Sequence, residues 1–192
     1  MMSIVAAGCG GAFAEVLSTP GVSKVLKSMH FPYSYEEVKK ACTVSDGDQN
    51  FKALSSATAY RLSLSNLLCD IKPEYNDLTI GITAGLITSR YRKGEEVAYI
   101  VVRDTKHFLC EIKIEFNKLS EESYNQLDEK GIKFMRKMQD EIIKNVALHA
   151  VLCIIDHVSP MTIANIAKGS SRIEKITVRD IYTPLLVWED DW

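Results

Sequence analysis

The chain lacks the features that mark several large classes of protein. Its 192 residues carry a formal net charge of −2, so no basic excess favours nucleic acid or an acidic membrane surface as a partner. No apolar run is long enough to span a bilayer, and the N-terminus lacks the positively charged segment of a secretory signal. We therefore expect a cytoplasmic protein with no nucleic-acid or membrane partner, which binds small molecules or other proteins.

Cysteine is sparse and irregularly placed. The five cysteines are odd in number and far apart, with no Cys-x-x-Cys motif and no histidine pair at zinc-finger spacing. A disulfide framework and a structural zinc site are therefore not expected, and the compartment should be reducing. Because no carboxylate or cysteine pattern completes a metal site around His149 or His157, we predict no metal and no cofactor.

Length and composition indicate one globular core. The chain is 46% hydrophobic and 25% charged, with no internal repeat. We predict an α/β domain over residues 1–158 and a C-terminal extension or docking tail over residues 159–192. The extension ends in Trp188-Glu189-Asp190-Asp191-Trp192, whose two tryptophans are costly to leave in water, so docking is one interpretation and a disordered end is the other.

A glycine-rich turn near the N-terminus is the first candidate site. A short apolar strand, Ser3 to Ala7, is followed by Gly8-Cys9-Gly10-Gly11 and then by the apolar helical segment Ala12 to Leu17. This order places free backbone N–H groups where an anion could bind. The glycines match neither a dinucleotide fingerprint nor a P-loop, so a tight strand-to-helix turn with no ligand stays an equal alternative.

A second turn, Pro32-Tyr33-Ser34, is expected to face the same pocket. Ser34 is predicted to be the N-cap of the helix that follows, with Glu37 at the capping-box position. Leu54 to Leu68 has one apolar face at helical spacing and predicts a longer helix.

The middle of the chain predicts strands. Leu78 to Ile82 is a β-branched run typical of a buried central strand, and we expect the small residues Thr83-Ala84-Gly85 to form a loop after it. The segments 96–103 and 107–116 alternate in the manner of a hairpin. Before the hairpin, Ser89 to Gly94 is the most basic part of the chain, and both an anion-binding role and a solvated turn are open for it.

The C-terminal part predicts a long helix and one further strand. Apolar residues keep helical spacing from Ser120 onward, with a kink or split at Gly131. Between Val146 and Ile155 they cover more than one face, so this end is buried deeply or against a second subunit, and we expect a homo-oligomer. Met161 to Ala167 predicts a short helix, and Ile176 to Ile181 predicts a strand.

Taken in order, these motifs resemble a known family. The chain resembles the C-terminal domain of competence-damage-inducible (CinA) proteins, which includes nicotinamide mononucleotide amidohydrolases, and its variants of the motifs are similar to the eukaryotic branch. The resemblance covers residues 3 to 155, and the matching segments are Gly10-Gly11, Leu17 to Ser23, Pro32-Tyr33-Ser34, Ser55 to Ala59 and Leu78 to Ala84. It implies a three-layer α/β/α sandwich with a mixed central sheet and a long C-terminal helix. It also implies hydrolysis of nicotinamide mononucleotide to nicotinic acid mononucleotide and ammonia.

The catalytic residues that the resemblance implies are incomplete in this chain. The family uses a serine just before the Gly-Gly pair, a tyrosine in the second turn and a lysine five residues beyond that tyrosine. Tyr33 is retained, but Ala7 or Gly8 stands at the serine position and Val38 at the lysine position. Cys9 is either a replacement nucleophile, activated at a helix N-terminus, or a bystander thiol.

We therefore expect a CinA-like protein that binds a mononucleotide, with hydrolysis in doubt. The alternative is a non-catalytic structural or protein-interaction homo-oligomer whose pocket is vestigial. The candidate catalytic residues are Tyr33 and Cys9. The candidate residues for substrate or phosphate are Gly8, Gly10, Gly11, Ser34, Thr83, Ala84, Arg90 and Arg92.

Overall fold

The core of the protein is one mixed β-sheet. A computed structural model describes residues 1–44, 48–69, 77–104 and 108–182. Six strands lie in the order β2-β1-β3-β4-β5-β6. Their bounds are β1 Met2–Ala7, β2 Leu26–His30, β3 Leu78–Gly85, β4 Val97–Asp104, β5 Phe108–Phe116 and β6 Ile173–Tyr182. Strand β1 pairs in parallel with β2 and β3, and the pairs from β3 to β6 are antiparallel.

Helices cover both faces of this sheet. Their bounds are α1 Gly11–Ala14, α2 Tyr35–Ala41, α3 Ser56–Cys69, α4 Glu121–Asn125 and α5 Glu129–Ile155. Helix α5 packs on one face in the main apolar cluster, together with a 3₁₀ helix over Pro160–Gly169. Helices α2 and α3 pack on the other face, in a smaller cluster with Val5 and Ala7 of β1. The predicted three-layer α/β/α sandwich with a long C-terminal helix is confirmed.

The close contact between β3 and α3 depends on one small residue. Strand β3 is buried on both faces, as expected for a central strand covered by helices. At Gly81, an added Cβ would lie 2.0 Å from the carbonyl oxygen of Ala59 and 2.3 Å from the backbone nitrogen of Ser63, both in α3. Only glycine lets the helix backbone lie this close to the strand.

The short N-terminal elements follow the local sequence signals. The side chain of Ser34 accepts a hydrogen bond from the backbone N–H of Glu37 at 3.2 Å, so the predicted N-cap of α2 is confirmed. The predicted helix over 54–68 is α3, and the predicted hairpin is β4 and β5. Residues 83–85 differ from the prediction, because they continue β3 against β4 instead of forming a loop.

The predicted long helix from Ser120 is two helices. Helix α4 ends at Asn125, and α5 begins after Asp128, whose side chain accepts a hydrogen bond from the backbone N–H of Gly131 at 2.7 Å. The predicted split is therefore present at residues 126–128, and Gly131 lies in the first turn of α5. Residues 161–167 lie in a 3₁₀ helix.

The predicted C-terminal extension enters the sheet. Its residues 173–182 form β6, the edge strand beside β5, which contains the strand predicted over 176–181. The docking tail at Trp188 to Trp192 lies outside the described residues, and the division of the chain at residue 158 stays a prediction. In the described part of the chain, no helix is both long enough and apolar enough to cross a membrane.

Candidate functional site

A cavity of about 320 Å³ opens beyond the carboxyl ends of β1 and β2, and we call it the glycine-loop cavity. Open α/β sheets commonly bind ligands at this edge, and the volume lies at the small end of ligand sites. It is lined by Ala6, Gly8, Cys9, Gly10, Gly11, Phe31, Pro32, Tyr33, Arg136 and Asp140. The two predicted turns therefore do face one cavity, and α5 supplies its two charged side chains.

Gly8 is required by the protein's own packing, and Gly10 lies close to a neighbouring ring. Gly8 has a φ of +77°, and a Cβ there would lie 2.0 Å from the carbonyl oxygen of Ala84 in β3. A Cβ at Gly10 would lie 3.0 Å from the ring of Phe31. The sequence predicted that the backbone of this loop approaches another group closely. That group is the protein itself, strand β3 and the second turn, and these contacts hold the loop in place.

Arg136 holds this loop against α5. One of its terminal nitrogens donates a hydrogen bond to the carbonyl oxygen of Gly8, and the other donates to the carbonyl oxygen of Ile87 at 3.0 Å. The guanidinium therefore ties the segment after β1 to the segment after β3. Since an arginine side chain has five N–H groups, these bonds leave others that a ligand could use.

Asp140 lies one turn beyond Arg136 on α5, and its charge is poorly compensated. Its Oδ1 is 3.9 Å from Nε of Arg136, which is too far for a hydrogen bond, and this buried oxygen has no hydrogen-bond partner in the described structure. Burial raises the pKa of the Asp140 carboxyl, while Arg136 lowers it and Glu141 adds to the increase. A ligand that donates hydrogen bonds to this carboxylate would relieve the deficit.

Cys9 has the properties of a structural thiol. It is 5% exposed, and burial strongly raises the pKa of its thiol, with the Asp140 carboxylate adding to the increase and Arg136 opposing it. Because the thiolate is the reactive form, a thiol kept protonated is a poor nucleophile. The bystander interpretation of Cys9 is favoured.

Tyr33 and Phe31 form the rim of the cavity. The side chain of Tyr33 is 94% exposed and that of Phe31 is 37% exposed. Exposed aromatic rings beside a cavity can stack on a planar ligand ring. Ser34 does not line the cavity, because its hydroxyl caps α2.

The other predicted binding residues lie elsewhere. Thr83 and Ala84 are neighbours in β3 and face opposite sides of the sheet. The hydroxyl of Thr83 donates to the carbonyl oxygen of Ala53 at 2.6 Å, on the α3 side. Arg90 and Arg92 are exposed in the loop after β3, where Arg92 donates to the carbonyl oxygen of Leu86 at 3.5 Å. None of these four described residues lines the glycine-loop cavity.

The positions of the family's serine and lysine are filled by core residues. Ala7 and Val38 are buried together in the apolar cluster between the sheet, α2 and α3. At the alternative serine position, Gly8, the carbonyl oxygen of Ala84 occupies the space of a side chain. Neither arrangement presents a hydroxyl and an amine to a common substrate. Among the described residues, no group of three metal-binding side chains is placed to hold a metal ion.

Sequence reasoning missed Arg136 and Asp140. Both lie on a helix whose apolar spacing predicted core contacts, and Arg136 is 128 residues away from its partner Gly8. The available signal was an opposite-charge pair at i, i+4. Such pairs are common on solvated helix faces, so the sequence did not distinguish this one.

No family model and no curated protein matches the chain. Several solved structures are similar to the chain. The competence/damage inducible protein CihA from Agrobacterium tumefaciens is 14% identical to it with a TM-score of 0.48. The alignment covers 72% of this chain and 83% of that one. A CinA superfamily protein from Escherichia coli is 10% identical with a TM-score of 0.48, over 73% and 78%. The competence damage-inducible protein A from Klebsiella pneumoniae is 11% identical with a TM-score of 0.45, over 73% and 83%. At TM-scores below 0.5, no property of these proteins is transferred to this chain.

Proposed function

We propose that the protein binds a mononucleotide in the glycine-loop cavity and does not hydrolyse it. The observation that carries the proposal is the under-compensated carboxylate of Asp140 in a cavity bordered by exposed aromatic rings. A carboxylate accepts hydrogen bonds from an amide or from ribose hydroxyls, and the rings can stack on a base. Nicotinamide mononucleotide combines these groups and is the ligand class that the sequence resemblance implies.

The lack of hydrolysis follows from the side chains at the reacting positions. Ala7 and Val38 offer no hydroxyl and no amine. Cys9 stays protonated. Tyr33 alone cannot supply both a nucleophile and the base that activates it.

Binding is tested by thermal denaturation with nicotinamide mononucleotide or nicotinic acid mononucleotide. A ligand at about 100 times its Kd stabilises the folded state by about 2.7 kcal/mol, so the melting temperature should rise with concentration. Asp140→Asn should remove most of that rise. Asp156→Asn changes an exposed carboxylate just after the same helix and should leave it intact. The absence of any shift at millimolar ligand in the wild type would rule out the binding proposal.

Catalysis is tested by measuring ammonia release from nicotinamide mononucleotide. We expect no release above the uncatalysed background. Release that disappears in Cys9→Ala would contradict the proposal and identify the buried cysteine as a new nucleophile. Release that persists in Cys9→Ala would also contradict it and point to a nucleophile elsewhere in the chain.

One observation favours the alternative, a self-associating interaction protein. Leu152, Ile155, Val158 and Met161 are between 49% and 56% exposed, at the end of α5 and the segment after it. Contiguous exposed apolar side chains are a common mark of protein interfaces. Light scattering after gel filtration would show a dimer or larger assembly, and Ile155→Lys should convert it to a monomer.

A further inference from the structure

A second cavity, which we call the sheet-face cavity, lies on the face of the sheet away from α5. Its volume is about 190 Å³, and it is lined by Ser56, Tyr99, Glu111, Lys113, Thr177 and Arg179. These residues come from four elements, α3, β4, β5 and β6. In β5 and β6 they alternate with core residues such as Ile112 and Val178, so the sheet presents their side chains together on the opposite face.

Glu111 has its carboxylate turned toward α3. It accepts a hydrogen bond from the hydroxyl of Ser56. Arg179 lies directly opposite Glu111 in the register of β5 and β6, yet the two side chains form no ion pair. Among the described residues, the guanidinium of Arg179 has no carboxylate within ion-pair distance, although it is exposed beside the cavity.

Lys113 supplies the second cation. Its ammonium group pairs with Glu115 at 2.7 Å, and this uses one of its three N–H donors. The hydrogen bond to Glu115 raises the pKa of Lys113, against the opposing effect of burial, so the group is charged at neutral pH. Thr177 lies opposite Lys113 in register and adds a hydroxyl.

The cavity is lined by two cations, three hydroxyls and one carboxylate. The Ser56 hydroxyl is used by Glu111, and one N–H of Lys113 is used by Glu115. The remaining donors are the guanidinium of Arg179, the other two N–H groups of Lys113 and the hydroxyls of Tyr99 and Thr177. A planar guanidinium matches the geometry of a carboxylate or phosphate group through two parallel hydrogen bonds. We propose that the sheet-face cavity is a binding site for a small oxyanion, held by Arg179 and Lys113. The site is separate from the glycine-loop cavity and does not depend on the function proposed for it.

Titration calorimetry at constant ionic strength tests this site, with inorganic phosphate as the first probe and acetate and citrate as carboxylate probes. We expect saturable binding of phosphate with a stoichiometry near one, and Arg179→Met should weaken it by about tenfold or more. Lys175→Met removes an exposed cation from the same edge strand, β6, at a position that does not line the cavity. This control variant should change the affinity less than twofold. The carboxylate probes show which kind of oxyanion the site prefers.

The backbone amide spectrum locates the binding event. Phosphate should shift the resonances of Ser56, Lys113 and Arg179, and leave those of the glycine loop unchanged. Equal loss of affinity in Arg179→Met and Lys175→Met would overturn the proposal, because it would indicate unspecific attraction to the charge of the strand. Binding that does not saturate, or shifts confined to other residues, would overturn it as well.

Discussion

Ala7 and Val38 are buried in the same apolar cluster, with 4% and 5% of their surface exposed. The sequence resemblance assigns the serine to Ala7 or Gly8 and the lysine to Val38. Ala7, in β1, and Val38, in α2, face the side of the sheet that α3 covers. The alternative serine position, Gly8, does line the glycine-loop cavity, but it has no side chain.

Val38→Lys should destabilise the protein by roughly 3 kcal/mol or more, because it places an amine in an apolar cluster with no partner. Val25→Lys introduces the same side chain at a position that is 57% exposed and should change stability by less than about 0.5 kcal/mol. Urea denaturation of both variants measures the difference. Equal stability of the two would show that the cluster around Val38 is open to water.

Gly8→Ala and Gly21→Ala separate backbone strain from steric conflict. Both residues have positive φ, +77° and +82°, so each substitution carries a conformational cost of about 1 kcal/mol. A Cβ at Gly21 has nothing within 4 Å, whereas at Gly8 it meets the carbonyl oxygen of Ala84 at 2.0 Å. We expect Gly8→Ala to cost at least about 3 kcal/mol in free energy of unfolding. A similar loss in both variants would mean that the loop moves freely away from β3.

Gln139 joins α5 to the segments at the ends of β3 and β4. Its side chain donates to the carboxylate of Glu96 at 2.6 Å and accepts from the backbone N–H of Ile87 at 3.0 Å. Gln139→Leu leaves both buried groups without a partner and should cost about 3 kcal/mol or more. Gln126→Leu, at an exposed position after α4, is the matched control and should be nearly neutral. Chemical denaturation checks both, and a neutral Gln139→Leu would refute this role.

The pH dependence of stability tests the environment of Asp140. Its folded-state pKa is raised above the ordinary value of 3.8, so the native state binds its proton more tightly than the unfolded chain does. The contribution of Asp140 to stability is therefore lost as pH rises from the ordinary carboxyl pKa through the raised one, and Asp140→Asn lacks this loss. We expect the variant to match wild type near about pH 3 and to exceed it at about pH 7.

Urea denaturation across this pH range measures the effect, with Asp156→Asn as a control whose difference from wild type is small throughout. If Asp140→Asn were less stable than wild type at neutral pH, attraction to Arg136 would outweigh burial. The affinity for a nucleotide should follow the opposite course and fall as the carboxylate becomes protonated at low pH.

The local elements of the fold were accessible from short stretches of sequence. Ser34 and Glu37 identified the start of α2 because both capping partners lie within four residues. The β-branched run from Leu78 also identified β3 from a few neighbouring residues. A strand that is buried on both faces is apolar throughout and does not alternate between apolar and polar residues. The loop expected at residues 83–85 was wrong, because small residues also fit a strand when a neighbour pairs with it.

The two turns around Gly8 and Tyr33 were correctly expected to share a cavity. The glycine, proline and aromatic residues of the two turns are visible in the sequence. Strand β2 before Tyr33 and its parallel pairing with β1 come from the structure. The charged wall of the cavity, Arg136 and Asp140, and the placement of Thr83 on the opposite face depend on how α5 and α3 pack on the sheet. Local sequence signals act over a few residues, whereas these contacts join residues 30 to 128 positions apart. The burial of the side chains in the folded chain then decides which partners they have and how they are charged.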